Sequence, residues 1–122
     1  MPISSSEMKT VLTELNCRTN YSVNKVTEYM LPNSKEAFYM YNESGKAQLV
    51  IRPVFEVFKA DFAKLKGVRD RKQYCHSSEM TRFPTRKHTS FVEVHYGLPF
   101  GFDNTDGVKS FIDKLTSIIN ES

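Results

Sequence analysis

The residues best suited to acid–base chemistry in this chain lie around position 95. Glu93 and His95 are two residues apart in an alternating stretch, so they share one face of a predicted strand, and Tyr96 follows directly. A carboxylate near an imidazole orients the ring and raises its basicity, as a general base requires. Cα atoms at positions i and i+2 of a strand are about 7 Å apart, which does not ensure a hydrogen bond. We therefore expect His95 to be a capping or turn-bracing residue.

The sequence offers no nucleophile or metal site to complete such a centre. It has no Gly-x-Ser-x-Gly elbow and no phosphate-binding loop. Cys17 and Cys75 fit no zinc or redox spacing, and two free thiols are expected because no secretion signal precedes them. Structural zinc needs about four ligands, commonly in close pairs, whereas the histidines are scattered. We expect no catalytic residue, no metal and no cofactor, and a protein that is not an enzyme.

Positive charge is concentrated in residues 64–87. This segment carries eight Lys or Arg and two acidic residues, so its net charge is +6, whereas the rest of the chain contributes −3 to the total of +3. A cluster of cations attracts phosphates, and Tyr74 and Phe83 could stack on bases. The alternative is an ordinary solvated loop, since no helix-turn-helix, zinc-finger or RNP signature is present. The candidate nucleic-acid-binding residues are Lys66, Arg69, Arg71, Lys72, Arg82, Arg86 and Lys87.

Three helical patterns surround these residues. Ser4 and Glu7 have capping-box spacing and predict a helix over 5–16. Aromatic residues recur every three to four positions from Phe55 and predict a second helix that ends at Gly67. A third helix is predicted over 106–120 by a six-member apolar stripe: Val108, Phe111, Ile112, Leu115, Ile118 and Ile119.

Strand patterns fill the first half of the chain. Residues 21–30 indicate a weak strand, although a helical interpretation is also open. Residues 37–42 and 47–52, joined by the polar turn 43–46, predict a β-hairpin that Pro53 ends. Alternation then places Ala47, Leu49 and Ile51 on the core side, with Gln48 and Arg52 pointing outward.

The second half is expected to be less regular. Val68–Lys87 lacks a sustained period and is predicted to be a long connection with at most one short strand near Arg82-Phe83. A strand is predicted over 90–96 and a loop over 97–102. We expect Gly97 and Gly101 to supply backbone geometry that a Cβ would oppose, with Pro99 stiffening the turn.

These elements predict one α+β domain over residues 1–122. The length of 122 residues suits a single core, and 39% hydrophobic with 25% charged residues is typical of a globular protein. The order α-β-β-β-α-β-β-α, without a βαβ repeat, favours two layers with an antiparallel sheet. No run of about 20 apolar residues occurs, so no membrane association and a cytoplasmic location are expected.

Several runs of this sequence resemble the YgaC family of small uncharacterised bacterial proteins. They are Glu36–Asn42, Leu49–Pro53, Arg82-Phe83-Pro84 and His95-Tyr96-Gly97-Leu98-Pro99-Phe100-Gly101-Phe102. The resemblance implies an α+β fold of the type shared with the amino-terminal domain of the competence regulator TfoX, similar to type III secretion chaperones. It implies no known activity. The motif residues, whose role is unknown, are His95, Tyr96, Gly97, Pro99, Gly101 and Phe102.

This chain departs from the family in two places. Residues 54–75 are more helical and more basic, and the chain is slightly longer between Pro84 and His95.

The most favoured function is a regulatory or protein-interaction module, a monomer or homodimer whose partner is an unidentified protein. An outward aromatic ring, Tyr39 or Phe38 together with Phe91, would fit such a module, although ordinary core packing is the competing interpretation. Nucleic-acid binding by residues 64–87 is the alternative, and an enzyme built on His95 is the third hypothesis.

Overall fold

The computed structural model describes residues 3–23, 25–43, 46–87 and 93–121. These residues form a mixed α+β domain with an antiparallel sheet, as predicted. In chain order the elements are α1 Ser5–Glu14, β1 Arg18–Val23, β2 Val26–Met30, β3 Ala37–Glu43, β4 Lys46–Ile51, a 3₁₀ segment Pro53–Phe58, α2 Lys59–Ala63, β5 Val68–Asp70, β6 Cys75–His76, β7 Thr85–Lys87, β8 Glu93–Phe102 and α3 Thr105–Glu121.

The helix predictions are confirmed, with one modification. Ser4 and Glu7 form the predicted capping box at α1, and α3 spans slightly more than the predicted range. The second predicted helix is divided into the 3₁₀ segment, which has Pro53 at its first position, and the short α2. Phe55 and Phe62 are buried, as the aromatic period indicates.

The strands β1 to β4 form a meander of antiparallel neighbours. The predicted hairpin is β3 and β4, and Pro53 follows its last strand. The weak strand predicted over 21–30 is instead part of two strands, β1 and β2, which pair with each other across a bulge between Thr19 and Tyr21. The residues at the tips of the β1–β2 and β3–β4 turns, 24 and 44–45, lie outside the described part.

The loop predicted over 97–102 is wrong, because these residues belong to β8. This strand lies inside the sheet, with β4 on one side and the edge strand β5 on the other. Pro99 fits there because its carbonyl accepts from the Arg71 amide at 3.3 Å. Its ring nitrogen therefore faces the same side, just beyond the end of β5, where no ladder bond is needed. Residues 90–92 of the predicted strand lie outside the described part.

The long connection predicted over 68–87 is also wrong. It contains three short strands, β5, β6 and β7, which all pair with β8. Arg82 and Phe83 lie in a turn and not in a strand. The short strands escape a period search because two or three residues cannot establish an alternation.

One face of the sheet, the helix face, packs against α1, α2 and α3. Phe111 of α3 lies at the centre of this core, with its ring centroid 4.7 Å from that of Phe62, 5.1 Å from that of Phe100 and 5.2 Å from that of Phe102. Ala47, Leu49 and Ile51 lie in the same cluster, as predicted. Among the described residues, no helix is long and apolar enough to cross a membrane.

The opposite face, the strap face, is covered by residues 77–84, which we call the strap. Its apolar cluster consists of Val26, Tyr39, Val50, Met80 and Phe83. Gln48 lies on this face, opposite to Ala47, Leu49 and Ile51 as predicted, but it is only 7% exposed. Arg52 is half-buried and donates two hydrogen bonds of 2.6 Å to the Glu36 carboxylate.

Candidate functional site

The strap exists because β6 and β7 flank opposite sides of β8. The amide of Ser77, just after β6, donates to the His95 carbonyl, whereas the amide of Tyr96 donates to the Pro84 carbonyl, just before β7. The His95 carbonyl and the Tyr96 amide belong to one trans peptide group and point in opposite directions, so these two partners lie on different sides of β8. The chain between them must therefore cross the strand, and residues 77–84 do so over the strap face.

Polar contacts anchor the strap at both ends. The Arg82 amide donates to the Tyr39 hydroxyl at 3.1 Å, and the Arg82 guanidinium pairs with Glu28, a carboxylate that is 1% exposed. The Tyr21 hydroxyl donates to the Glu79 carbonyl. Burial raises the pKa of the Tyr39 hydroxyl, and the Arg82 amide bond opposes part of that shift. Arg82 therefore holds the strap and neutralises a buried charge.

His95 braces the strap from below. Its Nδ1 lies 2.6 Å from the Phe83 carbonyl oxygen. A carbonyl oxygen can only accept, so Nδ1 carries the hydrogen. The Glu93 carboxylate accepts instead from the Thr85 hydroxyl at 3.4 Å. The residues considered for acid–base chemistry thus have different partners, and His95 makes the turn-bracing contact expected of it.

Gly97 is required for a close approach and not for an unusual backbone. A Cβ placed there would lie 2.6 Å from ring atoms of Phe83 and 2.7 Å from the Ile51 carbonyl oxygen. At Gly101 the nearest atom, Cδ of Arg71, would be at 3.6 Å, which is an ordinary contact. Among the described glycines a positive φ occurs only at Gly67, so the conformational explanation predicted for Gly97 and Gly101 is wrong.

Tyr96 belongs to an aromatic cluster at one end of β8. Its ring meets that of Tyr74 edge to face at 5.2 Å and stacks on His76 at 6.1 Å. The Arg86 guanidinium lies 4.9 Å from the Tyr74 ring centroid and 5.4 Å from that of Tyr96. Arg86, one of the predicted nucleic-acid-binding residues, is therefore already engaged in a cation–π contact within the protein. Phe102, the last residue of the motif, is buried in the core of the helix face.

The predicted basic residues do not form one uniform patch. Arg69 pairs with Asp103 at 2.5 Å, and Arg82 pairs with Glu28. Among the predicted residues whose side chains are described, Lys66, Arg71 and Lys72 have neither a carboxylate nor an aromatic ring as a partner. The side chain of Lys87 lies outside the described part.

The aromatic ring predicted to point outward is not exposed. Phe38 and Tyr39 are both fully buried, Phe38 under the helices and Tyr39 under the strap, so that prediction is wrong for both. Phe91, its third member, lies outside the described residues. The helices bury one face of β3 and the strap buries the other, which the strand pattern alone could not indicate.

An apolar groove that the sequence analysis missed lies between the 3₁₀ segment and the end of α3. Val57 is 81% exposed and Val54 is 62% exposed. The groove has a volume of about 510 Å³, and it is lined by Arg52, Val54, Phe55, Phe58, Ile118 and Glu121. The sequence signal for this groove was a pair of valines three residues apart, on the side of the segment away from Phe55. The aromatic stripe predicted only the buried side of the same segment.

No family model, curated protein or solved structure matches this chain when it is compared with them. The resemblance to the YgaC family therefore remains a prediction from the sequence, and function has to be argued from the residues of this chain.

Proposed function

We propose that this protein is a non-enzymatic cytoplasmic interaction module that binds a partner protein through the apolar groove. The observation that carries the proposal is the exposure of Val54 and Val57 beside a groove lined by Phe55, Phe58 and Ile118. Contiguous apolar surface of this kind marks interaction sites in monomers. The YgaC-like run from His95 to Phe102, through which we propose membership of that family, implies no activity and does not conflict with this function.

The shape and rim of the groove suit an apolar side chain of a partner. A volume of about 510 Å³ accommodates a large aliphatic or aromatic residue, the type that anchors most interfaces. Arg52 and Glu121 line the groove with opposite charges, so the rim is polar while the floor is apolar. Binding would bury Val57, which in the free protein exposes most of its surface to water.

The test compares Val57→Asp with a matched control, Val23→Asp. Among the described residues, Val23 is the remaining exposed large hydrophobic residue, 40% exposed, and it lies on the edge strand β1 away from the groove. Peptides selected by the wild-type protein from a random display library supply the probe. We expect apolar anchors in the selected peptides, loss of binding in Val57→Asp and retained binding in Val23→Asp. Equal affinity of both variants for every selected peptide would overturn the proposal.

Nucleic-acid binding is the second candidate, because Lys66, Arg71 and Lys72 are exposed cations without a carboxylate partner among the described residues. Titration of short single-stranded and duplex DNA at two salt concentrations separates the two functions, since phosphate contacts weaken steeply with salt. Salt-sensitive binding that survives Val57→Asp would favour the nucleic-acid function over the groove.

A further inference from the structure

A polar pocket on the strap face shares no residue with the apolar groove, and Arg71 is the residue it has in common with the candidate nucleic-acid-binding set. It has a volume of about 370 Å³ and lies between the sheet and the connection from β5 to β6. Eight residues line it, none of them acidic, and those that matter here are Tyr41, Gln48, Arg71 and Gln73. This volume lies within the range of pockets that hold small molecules.

Gln48 of β4 is one of the residues that line the pocket. It is 7% exposed, and its amide makes no hydrogen bond to another residue in the described part of the chain. Its register neighbours on β3 and β8 are Tyr41 and Gly101. A side-chain amide that lines a pocket and has no protein partner is available to donate a hydrogen bond to a ligand.

Arg71 lies directly beside this amide. If Gly101 had a Cβ, that atom would be 3.6 Å from Cδ of Arg71 and 3.9 Å from its Nη1, so the side chain lies across the glycine that pairs with Gln48. The absence of a side chain at Gly101 therefore lets the guanidinium lie low against the sheet.

Arg71 is also the one arginine whose guanidinium is not already engaged in the described part of the chain. The other five contact a carboxylate, a carbonyl oxygen or an aromatic ring, and they are Arg18, Arg52, Arg69, Arg82 and Arg86. A guanidinium with free donors over a pocket that has no acidic lining is suited to an oxyanion.

The backbone holds Arg71 in this position. Its amide donates to the Pro99 carbonyl at 3.3 Å. The next residue, Lys72, has a left-handed φ of 67°, and its amide donates to a carboxylate oxygen of Asp70 at 2.8 Å. Asp70 in turn pairs with Lys59 at 3.7 Å. This turn reverses the chain so that Arg71 and Gln73 both line the pocket.

We propose that the pocket binds a small molecule that carries a phosphomonoester or carboxylate group. Its oxygens accept hydrogen bonds from the Arg71 guanidinium and from the amides of Gln48 and Gln73. The shared chemistry is an oxyanion with polar groups next to it, and the size of the pocket restricts the ligand to a metabolite.

The test titrates the full chain with ribose 5-phosphate and with succinate at low salt, by isothermal titration calorimetry. We expect saturable binding of at least one probe. Binding of ribose 5-phosphate would identify the anion as a phosphomonoester, and binding of succinate would identify it as a carboxylate. Arg71→Gln should weaken it by about tenfold or more, as loss of a charge-assisted hydrogen bond does. Lys72→Gln removes the same charge from the adjacent position, which does not line the pocket, and it should change the affinity by less than about twofold.

A second variant tests the pocket without changing the net charge of the protein. Gln48→Leu keeps the net charge and should also weaken binding, provided that its circular dichroism and melting match the wild type, whereas Val57→Asp beside the groove should leave binding unchanged. Binding of neither probe at about 10 mM, which corresponds to less than about 3 kcal/mol of affinity, would overturn the proposal. Equal losses in Arg71→Gln and Lys72→Gln would do the same, because general attraction to positive charge would then explain the binding.

Discussion

On one face of the sheet, three helices bury a continuous set of aromatic and aliphatic side chains. On the other face, the eight residues of the strap cover only a small apolar cluster, and Tyr21, Glu28 and Gln48 remain among it as polar groups. The helix face is closed by apolar contact alone, whereas the strap face depends on specific hydrogen bonds to Tyr39, Glu28 and His95. Stability is therefore expected to reside on the first face, and the small-molecule binding proposed above on the second.

Phe111→Ala and Phe83→Ala provide the strongest test of this difference. Phe111 is fully buried among three other phenylalanines, so its removal leaves a cavity that fixed helices cannot fill. The expected loss is about 3–5 kcal/mol of a total of about 5–15 kcal/mol. Phe83 is 3% exposed and meets Tyr39 edge to face at 4.8 Å, but the strap can settle onto the sheet when the ring is lost. Its variant should lose at least about 1 kcal/mol less.

Urea unfolding followed by circular dichroism measures both losses. Equal destabilisation by the two substitutions would mean that the strap is as rigid as the helices, and the contrast between the faces would fail.

The sequence predicted the helix face well because its information is periodic. The stripe of α3, the capping box at Ser4 and the alternation of Ala47, Leu49 and Ile51 each repeat over several turns or residues. Such patterns survive without knowledge of the partner surface. The residues of the strap face show no sequence period. The short strands β5, β6 and β7 are defined only by their pairing with β8, which a sequence pattern does not reveal.

The candidate sites were less predictable for the same reason. Gln48 reads as an outward residue in any strand pattern, and only the turn at Lys72 brings Arg71 to it. The residues of the basic segment were recognisable as cations, but their partners Glu28 and Asp103 are distant in sequence. Charge counting therefore overestimated the free positive surface.

Gly97→Ala and Gly101→Ala compare two positions of β8, one packed closely under the strap and one that faces only the Arg71 side chain. At Gly97 the added methyl group would meet Phe83, Val50 and a backbone carbonyl, so the strap must lift or the strand must shift. Overpacking of this kind costs about 1–3 kcal/mol. At Gly101 only the Arg71 side chain is near, and the change should stay within about 0.5 kcal/mol. Melting temperatures of the two variants, measured side by side, test this. If both melt like the wild type, the strap does not rest closely on Gly97.

The smallest expected effect is a loss of stability at alkaline pH, and it can be divided between the two faces. Burial raises the pKa of the Cys17 thiol on the helix face from 9.0 to about 11. In the unfolded chain this thiol ionises from about pH 9, while the folded state keeps its proton, so stability is complete below pH 9 and falls as the pH rises toward 11. Burial also raises the pKa of Tyr29 on the helix face and of Tyr39 under the strap, both from 10.0, so these hydroxyls add to the loss only above pH 10.

Urea midpoints under reducing conditions at about pH 8, 9 and 10 isolate the thiol from the tyrosines. We expect the wild type to lose stability between about pH 9 and 10 and Cys17→Ala to lose less over the same interval, because the variant has no thiol to ionise in its unfolded state. Above pH 10 the two tyrosines separate the faces: Tyr39→Phe should flatten the decline that the strap contributes, and Tyr29→Phe the decline from the helix face. A Cys17→Ala variant that declines in parallel with the wild type would show that the thiol is solvated in the folded protein, contrary to its burial against α1.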